Sequence, residues 1–261
     1  LKNHTSTAEI AYFVGCTTAY RHPEIASAAH TVLVKLGIDF TFLNGEKYEV
    51  CCGSPLIRAG FTESAKSLAE QNVMAIKESG AKTILTTCPG CARALKLDYP
   101  QLGVHIPKKV KVLHMTEFLV KHRKQLSRLV ISPLQPKQTS TPLTMTYHDP
   151  CHLGRELGIY EPPRQLLKLV PGANLIEFPH NHEYADCCGG GGALPKTFPN
   201  LAEEITRTRL ANTPSASNTY LVSACPNCKL HFTETQNRAK ETDLKILDIM
   251  EILAQALKER S

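Results

Sequence analysis

Lys82-Thr83-Ile84-Leu85-Thr86-Thr87-Cys88-Pro89-Gly90-Cys91 reads as an apolar strand that runs straight into a pair of cysteines. Pro89 favours a helix start at that point, because its fixed φ suits the first helical position, so Cys91 falls on the first turn. The chain repeats the pattern as Thr219-Tyr220-Leu221-Val222-Ser223-Ala224-Cys225-Pro226-Asn227-Cys228. Further out, each copy is preceded by an adjacent pair, Cys51-Cys52-Gly53 and Cys187-Cys188-Gly189, and before that by a single cysteine, Cys16 and Cys151. The spacings are C-x34-CC-x35-CPxC and C-x35-CC-x36-CPxC, and together they use all 10 cysteines. The chain is an internal repeat built around two five-cysteine sets.

The segments between cysteines fit the same plan. In the first half, strands are expected at Ala8–Gly15, Ile38–Leu43, Lys82–Thr87 and Val110–Leu113. Helices are expected from Pro23 to Leu36 with Gly37 as stop, from Thr62 to Ser79 with Gly80 as stop, and from Thr116 to Gln125. The second half predicts strands at Leu143–His148, Asn174–Phe178, Thr219–Ala224 and Asp243–Leu247. Its helices run from Pro163 to Val170, Leu201 to Ala211, and on to Lys258 at the end. Even the closing segments match: Val112-Leu113-His114-Met115-Thr116-Glu117-Phe118-Leu119 against Ile246-Leu247-Asp248-Ile249-Met250-Glu251-Ile252-Leu253. Strands alternating with helices imply an α/β fold with parallel sheets, and ligands then gather at the carboxyl ends of the strands, where the cysteines lie. The expected organisation is 1–131, a Pro/Ser/Thr/Gln-rich linker at 132–142, and 143–261.

Composition places the chain among ordinary globular proteins of 261 residues with a net charge of +6. No apolar run approaches the roughly 20 residues of a membrane span, no signal peptide is visible, and no basic run with interleaved aromatics points to nucleic acid. The chain opens on Leu1, as a processed or excised protein would. Close cysteine pairs at repeated offsets, without a secretion signal, argue for reduced thiols in the cytoplasm rather than disulfides. Thiolates are soft ligands that select zinc, copper(I) or iron–sulfur clusters. Four suffice for zinc or a cubane cluster, so a fifth is in excess unless a thiolate bridges metals.

The pattern resembles the cysteine-rich CCG domain, found twice in one of the subunits of heterodisulfide reductase and in the C-terminal part of another. Related copies occur in iron–sulfur subunits of glycolate, lactate and glycerol-3-phosphate dehydrogenases. The resemblance covers Cys16 to Cys228 and includes His148-Asp149-Pro150-Cys151-His152-Leu153-Gly154-Arg155. It implies two tandem, pseudo-symmetric Rossmann-like lobes. It also implies two non-cubane [4Fe-4S] clusters, one on Cys16, Cys51, Cys52, Cys88 and Cys91, the other on Cys151, Cys187, Cys188, Cys225 and Cys228. The implied reaction is reductive cleavage of a disulfide, such as that joining coenzyme M to coenzyme B, between the two clusters. An electron-relay component of a flavin dehydrogenase complex is the alternative, and a zinc-binding scaffold, with zinc in one or both halves, is the third reading.

No C-x2-C-x2-C-x3-C-P run is present, so electrons are expected from a ferredoxin-like iron–sulfur subunit or a preceding domain, with a flavin-containing subunit elsewhere in the complex. The chain itself is expected in the cytoplasm or peripheral to a membrane complex. His148 and His152 are candidate proton donors, and Arg58 and Arg155 candidate holders of an anionic substrate. His180 and His182 are read as surface-loop residues or spare zinc ligands. Lys121, His122, Arg123, Lys124 and Arg128 are read as cations at a helix end, or as a docking face for an acidic electron carrier.

Overall fold

The structure, a computed structural model, describes residues 8–43, 51–130, 143–214, 219–239 and 244–257; the expected linker lies outside them. Among the described residues, eight strands form two four-stranded parallel sheets. In the first, β1 (Ile10–Tyr12), β2 (Thr41–Phe42), β3 (Thr83–Thr86) and β4 (Lys111–His114) take the order β2-β1-β3-β4. In the second, β5 (Leu143–His148), β6 (Ala173–Leu175), β7 (Thr219–Ser223) and β8 (Lys245–Asp248) repeat it as β6-β5-β7-β8. Every residue of β5 and β7 is buried, as parallel strands covered by helices on both faces require. In each sheet the order reverses between the first strand and the third. That reversal opens the crevice where α/β sheets bind ligands, and Cys16, Cys88, Cys151 and Cys225 all follow those strands.

The lobes pack through two matched pairs of helices. The first crossover helix of lobe one, Pro23–Lys35, packs on the last helix of lobe two, Ile249–Ala256. Symmetrically, Met115–Lys121 of lobe one packs on Glu161–Leu167 of lobe two. Ile25, Val32 and Leu33 thereby share one core with Ile252 and Leu253, and Phe118 and Leu119 share it with Leu166 and Leu167. Burying such side chains contributes about 1.5–3 kcal/mol each, so the continuous core holds the two crevices in fixed relation. Ion pairs add to it at the edges: Arg21 with Glu234 at 2.5 Å, and Arg93 with Glu156.

The matched closing segments adopt one structure. His114 and Asp248 each cap the helix that follows the last strand of their lobe, Met115–Lys121 and Ile249–Ala256, and each is answered by Glu117 or Glu251 three residues on, which accepts from the cap's own backbone N–H. His114 Nε2 donates to Thr87 O at 3.1 Å, tying the cap to the residue before Cys88.

Several expectations need correction. The expected strands Ala8–Gly15, Ile38–Leu43 and Asn174–Phe178 shrink to three, two and three paired residues. The first ends because Gly15, at φ +83°, turns the chain directly into a helix, Cys16–Arg21; the other two are edge strands with one neighbour each. The helix expected over Thr116–Gln125 is two helices, Met115–Lys121 and Arg123–Leu129, broken at His122, whose Nδ1 donates to Phe118 O at 3.0 Å. Lys121 and Arg128 therefore lie in last helical turns, where cations suit the dipole, but Arg123 and Lys124 open a helix and gain nothing from it. The helices Ser54–Arg58 and Pro226–Ala239 also follow cysteines.

Candidate metal centre between the two lobes

Each set is delivered by the same local devices. Cys16 opens a helix, Cys88 caps the helix Pro89–Arg93, and Cys91 lies within it. Cys228 lies in the helix Pro226–Ala239 that follows Cys225. The adjacent pairs are turned by Gly53 and Gly189, both at φ +79°, a conformation that favours glycine. The turn aims backbone at sulfur: Gly53 N–H donates to Cys51 Sγ (3.5 Å) and Gly189 N–H to Cys187 Sγ (3.3 Å). Gly190 N–H adds a bond to Cys188 Sγ at 3.4 Å.

In the first set the thiols form one connected group. Cys16 Sγ lies 3.8 Å from Cys51 Sγ. Hydrogen bonds from Cys51 and then Cys91 bring the Cys52 thiol down to about 6. The Cys91 thiol, donating to Cys52 and Cys88, is pushed well up. In the second set Cys188 is brought well down by Cys187, then by Cys228 and, more weakly, by His148. Burial pushes Cys151 up, helped by the charges of Cys188 and Cys225. None of the ten cysteines is in a disulfide. Sulfurs gathered in reach of one another, several buried, with backbone N–H groups on them, fit a soft metal or an iron–sulfur cluster. Both sets meet that test.

The two sets face a common space. One cavity of about 580 Å³ is lined by Cys16, Cys52, Cys88 and Cys91 from lobe one and by Cys151, Cys188, Cys225 and Cys228 from lobe two. His152 reaches across it: a Cβ on Gly90 would stand 3.4 Å from His152 Nδ1. Burial, then Arg58, pulls the His152 imidazole down.

The other expected site residues divide. His152 and Arg58 line the cavity. Arg58 also donates to buried Asp98 at 3.2 Å, which Arg93 shares at 2.5 Å. His148 is 1% exposed and sits behind the cysteines, where one of its nitrogens and the sulfurs of Cys188 and Cys228 lie within 4.8 Å of one another. Arg155 is not a lining residue; its Nη1 donates to Ala185 O (2.6 Å) and Glu183 O (3.4 Å), bracing the loop before Cys187. His180 pairs with Asp186, the residue before Cys187, and His182 with Glu161; neither histidine lines the cavity. Sequence reasoning passed over Arg21, Lys196 and Arg238, which line the cavity, and buried Arg209 behind it. Arg209 carried a signal: it lies seven residues beyond Ala202, which packs on Gly189, just as Asn72 lies seven beyond Ala65, which packs on Gly53.

Two parallel α/β lobes that pool their cysteines in one cleft define a class of protein, and the sequence says which. The pattern of the cysteine-rich CCG domain matches residues 10–96 and again 145–233. The chain belongs to that family. It is 40% identical over 254 residues to one of the subunits of dihydromethanophenazine:CoB–CoM heterodisulfide reductase from Methanosarcina acetivorans, covering 96% of this chain and 59% of that protein. It is 32% identical to one of the subunits of fumarate reductase (CoM/CoB) from Methanothermobacter marburgensis, covering 95% of this chain and 46% of that one. It is 31% identical to EtfAB:quinone oxidoreductase of Syntrophomonas wolfei, covering 95% and 34%. The chain thus spans about half the length of the curated relatives it matches. These relatives are oxidoreductases or subunits of them. Among the described residues, no helix is long and apolar enough to cross a membrane.

Proposed function

We propose that this chain is the iron–sulfur part of a heterodisulfide reductase-like complex, holding two non-cubane [4Fe-4S] clusters that cleave a disulfide, such as CoM-S-S-CoB, lodged between them. The observation that carries the reading is the single cavity walled by both cysteine sets. When bound, the clusters supply electrons and iron sites with affinity for thiolate sulfur. The chain's residues do the rest. The two five-cysteine sets hold the clusters; Arg58 and exposed Lys196, which has no ion-pair partner among the described residues, draw an anionic substrate into the cleft. His152, on the cavity wall, is the proton donor to a product thiol, whereas buried His148 serves the cysteines in front of it. Arg155 contributes by fixing the loop that carries Cys187 and Cys188.

Electrons come from a ferredoxin-like iron–sulfur subunit or domain, with a flavin-containing subunit further up the chain, and the assembly works on the cytoplasmic side, peripheral to any membrane partner. The test is a single-turnover reaction of the anaerobically purified, pre-reduced chain with the disulfide. Release of both thiols in equal amounts, lost on replacing Cys52 or Cys188 by Ser, is expected; oxidation of the clusters without thiol release would contradict it.

Likeness to EtfAB:quinone oxidoreductase supports a second reading, an electron relay in a flavin dehydrogenase complex. The soft thiolate donors gathered in the second set support a third, zinc in that half.

A further inference from the structure

The two cysteine sets are near copies, but what stands behind them is not. Three residues before the leading cysteine, lobe one has Phe13 and lobe two has His148, both buried. Seven residues beyond the alanine that packs on the CC-following glycine, lobe one has Asn72 and lobe two Arg209. Asn72 is neutral and gives its amide hydrogens to Cys51 O (3.0 Å), Leu68 O (2.9 Å) and Tyr99 Oη (3.0 Å), none of them a sulfur.

Arg209 is placed differently. It is 1% exposed, with its guanidinium carbon 3.6 Å from the centre of the Phe178 ring. Its Nη1 donates to His180 O (3.1 Å) and Asp186 Oδ2 (3.2 Å), and its Nε donates to His148 Nδ1 at 3.3 Å. A guanidinium has donors only. His148 Nδ1 is therefore an acceptor, and the ring proton of a neutral His148 sits on Nε2. Phe232, edge-on at 5.0 Å, fixes the ring. An imidazole so held meets a neighbouring sulfur as an N–H donor, not as a metal ligand.

We propose that His148, oriented by Arg209, donates its Nε2–H to the Cys188 thiolate and makes the second cluster the one of higher reduction potential. The inference rests on the second set holding a cluster, as in the preceding reading. A hydrogen bond to ligand sulfur favours the more negative, reduced state and raises the potential. Phe13 and Asn72, the equivalent residues of the first set, give its sulfurs no such bond. An electron delivered to the chain then settles on the second cluster before the first.

The experiment is an EPR-monitored redox titration of the full chain purified without oxygen, with signals assigned through Cys52→Ser and Cys188→Ser variants. His148→Phe, which copies Phe13, should lower the potential of the second cluster alone, by at least the tenfold change in electron sharing that corresponds to about 59 mV for one electron. His148→Gln keeps an N–H donor and should retain most of the gap. An unchanged gap in His148→Phe, or equal movement of both clusters, overturns the proposal. In the metal-free wild-type chain, the 15N shifts of His148 should report the Nε2–H form, and an Nδ1–H form overturns the hydrogen bond whatever the metal content. Iron missing from the second set would instead refute the cluster reading, leaving the tautomer measurement to decide the hydrogen bond.

Discussion

Lobe one and lobe two share a backbone plan and differ in what lies beneath it. Strand order, CC-following glycine, helix-opening proline and capping box recur at matched offsets. Behind the cysteines, however, the places of Phe13, Val14 and Asn72 in lobe one are taken by His148, Asp149 and Arg209 in lobe two. Asp149 is 3% exposed and held by Arg164 through two bonds of 2.7 Å, with Glu177 on the other side of the same guanidinium. The duplicated part is the part that places sulfur. The part that has diverged changes the polar groups around it, so one scaffold presents two sulfur sets in unequal surroundings.

The sharpest way to break this comparison is at the two glycines. Both sit at φ +79°, so alanine at either strains the backbone by about 1–2 kcal/mol. At Gly53 the new Cβ would stand 3.5 Å from Ala65 O, whereas at Gly189 it would stand 2.4 Å from Ala202 O and cannot be accommodated without moving the helix. Gly189→Ala should therefore lose the metal of the second set and keep that of the first, while Gly53→Ala keeps both; iron per chain reads the difference.

Next in size is the buried Asp149–Arg164 pair, at the place where lobe one has Val14. Arg164→Ala strips the Asp149 carboxylate of its guanidinium partner in the core and should cost about 3–5 kcal/mol in denaturant unfolding of the metal-free chain. Replacing the pair together, Asp149→Val with Arg164→Met, should recover most of that loss.

The equivalent caps give opposite pH dependences. Burial holds His114 down at about 4, so between pH 4 and 6.5 the unfolded chain binds a proton that the native chain refuses, and stability falls on acidification. Burial raises Asp248 to about 8, so between pH 3.8 and 8 the native chain keeps a proton that the unfolded chain releases, and stability falls as pH rises. The two slopes oppose each other between pH 4 and 6.5. Asp248→Asn should unmask a rise in stability of about 1.4 kcal/mol per pH unit across that window; a flat profile in the variant would contradict the assignment. The smallest effect is expected at His180, whose exposed pairing with Asp186 should make His180→Ala worth less than about 0.5 kcal/mol and leave the iron content unchanged.

Much of this was legible in the sequence because its punctuation is strong. Gly37 and Gly80 stop helices, Pro89 starts one, and the apolar runs before Cys88 and Cys225 became β3 and β7. The helices Cys16–Arg21 and Ser54–Arg58 escaped because they are too short to show a period. Pro226–Ala239 escaped because it is polar overall, although Cys228, Phe232 and Thr235 mark its buried stripe at helical spacing. The break at His122 depends on a side chain reaching its own helix backbone, which no hydrophobic pattern announces. At the site, the cysteines were plain from spacing. Their meeting in one cavity was not, since it depends on how helices Pro23–Lys35 and Ile249–Ala256 set one lobe against the other. Nor was the difference of place that separates His152, on the cavity wall, from buried His148.

The most direct test is metal analysis of the chain purified without oxygen: iron, acid-labile sulfide and zinc together. Two occupied sets predict about eight irons and as many sulfides per chain, with little zinc. Zinc alone would contradict the account, and about four irons would mean that only one of the two lobes carries a cluster.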